Sequence, residues 1–279
     1  MNRSGIASFC GFYLGEPVTL GAVFLLLAGL LSGVLAGFLG IGGGTLLVPT
    51  LEQFDISGVY ATATSSLAIL VISSVGSFQN WRMGYVRPKP VVLLGLPAAA
   101  ITLFVTLVGN DIPPFLRLGG FALLLLATLY LVSLKRQIIR KAQFRESHMA
   151  TGPAINPLAA RLFTGTLAGA MAGLFGVGGG VILVPMQILL LGEQIKVAVR
   201  TSLAVIVMTS VAACLGNALY GNIHWIPGLV LGLGGLVGVQ ISTRFLPKLS
   251  DDTVTQLFRG LLVLLSMYMF WKAWLSFSV

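Results

Sequence analysis

The chain has 279 residues, 56% of them hydrophobic and only 9% charged, with a mean hydropathy of +0.96. Such values exclude a soluble globular domain and leave a polytopic membrane protein. An excess of 17 Lys and Arg over 8 Asp and Glu does not imply a nucleic-acid partner, because the basic residues fall mostly in short gaps between apolar runs, where the positive-inside rule puts them.

Residues 1–17 form an N-terminal segment with one Arg, a short apolar run and Glu16-Pro17, but no A-x-A cleavage site. The apolar stretch after it therefore reads as a retained span. Five apolar runs follow at 18–39, 45–54, 60–81, 90–109 and 113–134. A break at 135–161 carries six basic residues against one Glu and contains two prolines, which reads as a cytoplasmic linker. Five more runs occupy 162–175, 181–191, 197–220, 226–246 and 255–277. The expected domains are thus a first membrane repeat at 18–134 and a second at 162–279. A full crossing needs about 20 residues, so the runs at 45–54 and 181–191 are too short to span alone and read as half-helices.

The two halves are copies. Residues 29–51, GLLSGVLAGFLGIGGGTLLVPTL, recur at 165–187 as GTLAGAMAGLFGVGGGVILVPMQ, with about half the positions identical at one constant offset. Each copy has glycines every fourth position (Gly29, Gly33, Gly37; Gly165, Gly169, Gly173), a glycine cluster, and an apolar run broken by proline. The clusters are Gly40 with Gly42, Gly43 and Gly44, and Gly176 with Gly178, Gly179 and Gly180. Adjacent glycines weaken helices, so in an apolar setting they mark helix ends meeting at a loop. At the same offset, Ser65 and Ser66 match Thr201 and Ser202; with one residue inserted, Asn80 and Gly84 match Asn217 and Gly221.

Charge then sets the orientation. Arg82, Arg87 and Lys89 lie between the third and fourth runs, and Arg244, Lys248 and Arg259 lie around the junction of the ninth and tenth, so both loops join the linker on the cytoplasmic side. That holds only if each glycine-centred pair of runs crosses an even number of times. Each half then crosses an odd number of times, and both chain ends are external. The expected fold is an all-α membrane protein of two inverted-topology repeats with glycine-broken or re-entrant half-helices.

Duplicated short segments interrupted by Gly or Pro point to a transporter's binding site. Backbone N–H groups of Gly42, Gly43, Gly44 and Thr45, and of Gly178, Gly179, Gly180 and Val181, open half-helices whose N-termini carry partial positive charge, so two such ends converging near the midplane form an anion site. A Walker A loop does not fit, since neither cluster continues into Lys-Ser/Thr or follows a strand. Gly29, Gly33, Gly165 and Gly169 read as helix-packing positions. Ser65, Ser66, Thr201 and Ser202 either line a polar path or bond to backbone. Arg200, at the place of Thr64, either faces the pathway or snorkels to the interface. No carboxylate clearly occupies the centre of a span, which argues against a cation site. Cys10 and Cys214 form no disulfide framework, His148 and His224 lack metal-ligand company, and no cofactor is implied.

The paired GFLGIGGGTLLVPTL and GLFGVGGGVILVPM motifs, the T-S-S-L-A and R-T-S-L-A segments and the basic mid-chain linker resemble the TauE/SafE family of sulfite exporters and related permeases. The resemblance runs over almost the whole chain from about Val18. It implies a cell-membrane secondary transporter for a small sulfur-containing oxyanion such as sulfite. Alternatives are a permease for an organosulfonate or other small organic anion and, from another class, an intramembrane enzyme or structural subunit. The expected partners are the anionic substrate and the lipid bilayer. The substrate-binding set is Gly40, Gly42, Gly43, Gly44, Thr45, Ser65, Ser66, Asn80, Gly176, Gly178, Gly179, Gly180, Arg200, Thr201, Ser202 and Asn217.

Overall fold

The computed structural model describes residues 18–56, 58–108 and 156–277. The expected fifth run, the N-terminal segment and linker residues 135–155 lie outside the described residues. Among those described, every regular element is helical: α1 Val18–Leu39, α2 Gly44–Glu52, α3 Val59–Arg82, α4 Pro88–Val108, α5 Pro157–Phe175, α6 Gly180–Leu190, α7 Ile195–Leu219, α8 Trp225–Phe245 and, after the 3-10 turn Leu246–Lys248, α9 Asp251–Phe277. Six of them are long and apolar enough to cross a membrane. Helices α2 and α6, of 9 and 11 residues, are only about 14–17 Å long at 1.5 Å per residue, roughly half a bilayer core.

Small residues set which helices touch and in which direction. Gly29 packs on Leu231 and Gly33 on Gly235, so α1 and α8 run side by side the same way. Gly232 packs on Val71 and Gly76 on Val239, which aligns α3 with the same pair. In the other group, Gly165 packs on Leu94 and Gly169 on Ala98, while Thr102 Oγ1 donates to the Gly169 carbonyl at 2.9 Å, so α4 and α5 are parallel. Helix α7 joins them through Gly95 against Met208 and a Tyr220 hydroxyl that donates to the Leu107 carbonyl. The groups meet head to tail where α3 crosses α7: Gly76 faces Leu203, and Ser66 lies 3.5 Å from Cys214 Sγ. Close backbone approach at small residues is what lets helices associate where the lipid offers no hydrophobic driving force.

Both short helices fold back along the helix before them. Ser32 Oγ donates to the Gly43 carbonyl at 2.7 Å and the Phe24 and Phe54 rings lie 5.6 Å apart, so α2 returns toward the start of α1. Gly179 abuts Ala168, and Glu193, just beyond α6, feels the charge of Arg161 near the start of α5. Helix α5 begins at Pro157, ahead of the apolar run at 162. Asn156 caps it by accepting the Leu158 amide at 3.0 Å, and proline suits the first helical position.

These directions bring Arg82, Arg87, Lys89, Arg161, Lys196, Arg200, Arg244 and Lys248 to one end of the bundle. The α3–α4 and α8–α9 connections, assigned to one side from charge alone, lie together there.

Candidate functional site at the meeting of two glycine loops

The two glycine clusters meet in the middle of the fold, fully buried. A Cβ on Gly44 would lie 2.7 Å from Val177 Cα and 2.8 Å from the Gly176 oxygen; one on Gly180 would lie 2.8 Å from Ile41 Cα and run into the Gly40 oxygen. The start of each short helix therefore rests on the other half's loop. Gly42 and Gly178 both pack on Ile69 of α3 and Ile206 of α7, where those helices cross. The N-caps Gly43 (φ 80°) and Gly179 (φ 73°) are left-handed, a conformation glycine adopts without a Cβ penalty, and this turns each chain from loop into helix.

Hydroxyls tie down the loop carbonyls. Ser202 Oγ donates to Gly40 O at 2.6 Å, Ser65 Oγ to Gly176 O at 3.0 Å, Ser32 Oγ to Gly43 O at 2.7 Å, and Thr209 Oγ1 to Gly178 O at 3.4 Å. The Ser65 and Ser202 bonds each cross from one half of the chain to the other. The first amides of α2 and α6, including those of Gly44, Thr45, Gly180 and Val181, have no carbonyl one turn earlier in their helix to donate to.

Of the sequence-derived set, the glycines, Thr45, Ser65 and Ser202 come together. Ser66 sits in the same region, bonded to the Ala63 carbonyl, and Thr201 is buried on α7. Asn80 and Asn217 do not join them or each other: they lie near opposite ends of the α3–α7 pair. Each closes a matched helix end, with the Asn80 carbonyl accepting from Tyr85 N at 3.0 Å and the Asn217 carbonyl from Asn222 N at 3.1 Å, beside the left-handed Gly84 and Gly221. Arg200 lies at the basic end, only 9% exposed, with the Tyr85 ring 3.7 Å from its guanidinium carbon. Its counterpart Thr64, at the other end, accepts the His224 amide at 3.1 Å.

Sequence reasoning missed Ser210 and Thr209. They line a recess beside the second glycine loop with Ser66, Ala172, Gly176 and Gly178, and this recess is narrower than a water molecule. Ser210 Oγ is buried there without a hydrogen-bond partner. The signal was available, since Thr209-Ser210 repeats Ser73-Ser74 at the constant offset. Tyr85 left no such trace. Among the described residues no group of His, Cys, Asp and Glu is arranged to hold a metal ion. Outside the spans, burial raises the Glu193 carboxyl above its ordinary range, against the smaller opposing effects of Arg161 and Arg87.

The family model described as Sulfite exporter TauE/SafE matches residues 25–269. The chain belongs to this family. The TauE/SafE chain is 26% identical over 260 residues to the "Probable membrane transporter protein YunE" of Bacillus subtilis, a match that covers 87% of this chain and 95% of that relative. It is 27% identical over 198 residues to "Probable membrane transporter protein MJ0441" of Methanocaldococcus jannaschii, covering 68% and 70%. A third relative, "Probable membrane transporter protein y4hK" of Sinorhizobium fredii, is 29% identical over 212 residues, covering 73% and 80%. No solved structure matches the chain. Six apolar helices and membership in a family of membrane transporters make this a multi-pass membrane protein.

Proposed function

We propose that the protein is a secondary transporter for a small sulfur-containing oxyanion such as sulfite, held where the N-termini of α2 and α6 converge. In this reading α2 and α6 are half-helices of two inverted repeats, the membrane is the cytoplasmic membrane, and the basic end faces the cell interior. One observation carries the proposal: two helix starts meet at a buried point where hydroxyls engage the loop carbonyls. Four loop carbonyls, of Gly40, Gly43, Gly176 and Gly178, accept hydroxyls there, while the first amides of each short helix have no acceptor one turn earlier in their helix. Together with the partial positive charge of two helix N-termini, that favours an anion over a cation. Opposite running directions of matched helices support the inverted repeat, because α1, α3 and α8 oppose α5, α7 and α4. The choice of sulfite as cargo is supported by the family description, which names it.

Proteoliposome flux tests this reading. Purified protein should move sulfite faster than protein-free vesicles do, and an organosulfonate in the same panel gauges how strictly the site selects. The panel is run with and without a pH gradient to expose proton coupling. Flux of every sulfur oxyanion at the protein-free rate would reject the reading.

A further inference from the structure

Resting on the reading of the protein as an anion transporter, we propose that Arg200, Asn80 and Tyr85 form a second, one-sided docking site at the basic end for a small oxyanion that carries a hydrogen-bond donor, such as hydrogensulfite. The three residues belong to one locality. Asn80 lies one helical turn beyond Gly76, Arg200 one turn before Leu203, and Gly76 and Leu203 are in contact across the antiparallel α3–α7 pair. The turn after α3 binds Tyr85 N to the Asn80 carbonyl and places the Tyr85 ring 3.7 Å from the Arg200 guanidinium carbon.

Unused bonding capacity then points to a ligand. Asn80 is fully buried, yet neither Nδ2 nor Oδ1 has a partner, and Arg200 Nε is likewise buried and unpaired. A buried polar group without a partner costs stability, so each such group calls for an explanation. The opposite end shows the alternative: the matching Asn217 donates to the Ala213 carbonyl at 2.9 Å, and Thr64 accepts the His224 amide. Of these two matched pairs, the one on the side that bears the arginine leaves its capacity open.

The chemistry of the open groups sets the ligand class. With the Tyr85 ring over its face, the guanidinium keeps its in-plane N–H groups for oxyanion oxygens, the geometry in which Arg binds most strongly. Asn80 Nδ2 adds a donor, while Oδ1 accepts and so calls for a donor on the ligand. A fully deprotonated or alkylated oxyanion lacks that donor. A singly protonated one has it.

The full-length protein in detergent is titrated at mildly acidic pH with sodium hydrogensulfite and with sodium methanesulfonate, an anion of equal charge and no donor. Wild type should bind hydrogensulfite about ten-fold more tightly, Arg200→Gln should lose most affinity for both anions, and Asn80→Leu should lose the preference between them. Asn80→Leu should also melt no lower than wild type, since the side chain gives up no internal bond. If Asn80→Leu melts lower and keeps the preference, Asn80 is structural and the proposal fails; it fails equally if Arg200→Gln binds both anions as wild type does, or if wild type binds neither. Gly179→Ala with normal flux would sink the glycine site alone, because binding that depends on Arg200 still reads the site at the basic end.

Discussion

Replacing Gly179 by alanine separates a binding role for the glycine loop from its role in packing. The substitution imposes two costs. At φ 73° a Cβ brings a left-handed penalty of about 1–2 kcal/mol. The same Cβ would sit 3.1 Å from the carbonyl carbon of Ala168 and run into its oxygen, which is backbone and must move; such overpacking costs about 1–3 kcal/mol. Gly192, in the turn after α6, has φ +67° and nothing within 4 Å of where a Cβ would stand, so Gly192→Ala carries the first cost without the second. In thermal unfolding, Gly192→Ala should lose about 1–2 kcal/mol and Gly179→Ala about 2–5 kcal/mol. Equilibrium sulfite binding should separate them further: the start of α6 moves in Gly179→Ala and its amides leave the anion, whereas Gly192→Ala binds as wild type. Equal affinity in the two variants would remove the glycine loop from the binding site and leave it as a packing element.

Other perturbations test neighbouring steps. Ser210→Ala removes a buried hydroxyl that makes no internal bond beside the second glycine loop, so melting temperature should hold or rise while sulfite affinity falls several-fold if this hydroxyl adds to the proposed anion site; a fall in melting temperature with unchanged affinity makes Ser210 a packing residue. Glu193 has a folded-state pKa above its unfolded value, chiefly from burial, so its contribution is fully present below the unfolded pKa and is lost as pH rises through the folded one. Glu193→Gln should accordingly raise the melting temperature at neutral pH relative to wild type and leave it little changed in acid; a lower melting temperature at neutral pH would mean the attraction of Arg161 and Arg87 outweighs burial. For topology, single cysteines at positions 84 and 221 in a chain lacking Cys10 and Cys214 should react oppositely. An impermeant reagent outside the cell should label 221 and spare 84, and the converse labelling overturns the proposed orientation.

Much of this architecture was legible because its causes are local or repeated. Apolar runs and glycine spacing gave the helices and packing faces, and the constant offset between copies located both loops before any contact was known. The duplicated Asn and Gly at the ends of α3 and α7 were legible as a pair but not in meaning. Their backbone work, closing matched helix ends, is the same in both halves, while their side chains differ, with Asn217 bonded to its own helix and Asn80 unbonded. Ser65 and Ser202 were equally open in the sequence between lining a path and bonding backbone. Contacts between residues more than 100 positions apart assign both to loop carbonyls. The Tyr85–Arg200 contact belongs to the same class, since nothing in the local sequence of a short turn foretells which helix will pack beneath it.

Unequal residues at matched positions bear on the direction of transport. If the halves of an inverted repeat were identical, states open to either side would have equal energy, and only the gradient would choose between them. In the inverted repeat proposed for this chain the equality is broken at named places: Arg200 lies under Tyr85 where Thr64 accepts a backbone amide, and Ser32 anchors Gly43 where Ala168 has no hydroxyl to offer Gly179. With the Tyr85 ring 41% exposed, a cation–π contact of this kind is worth about 0.5–1 kcal/mol, enough to shift a two-state population about two- to five-fold. In the proposed alternating-access reading the contact, formed at the basic end, would favour the arrangement in which that end is closed. An anion docking on Arg200 loosens the contact only as far as it binds the open arrangement more tightly than the shut one. In that reading the arginine proposed to attract the cargo would also be the residue that makes opening of that end depend on it.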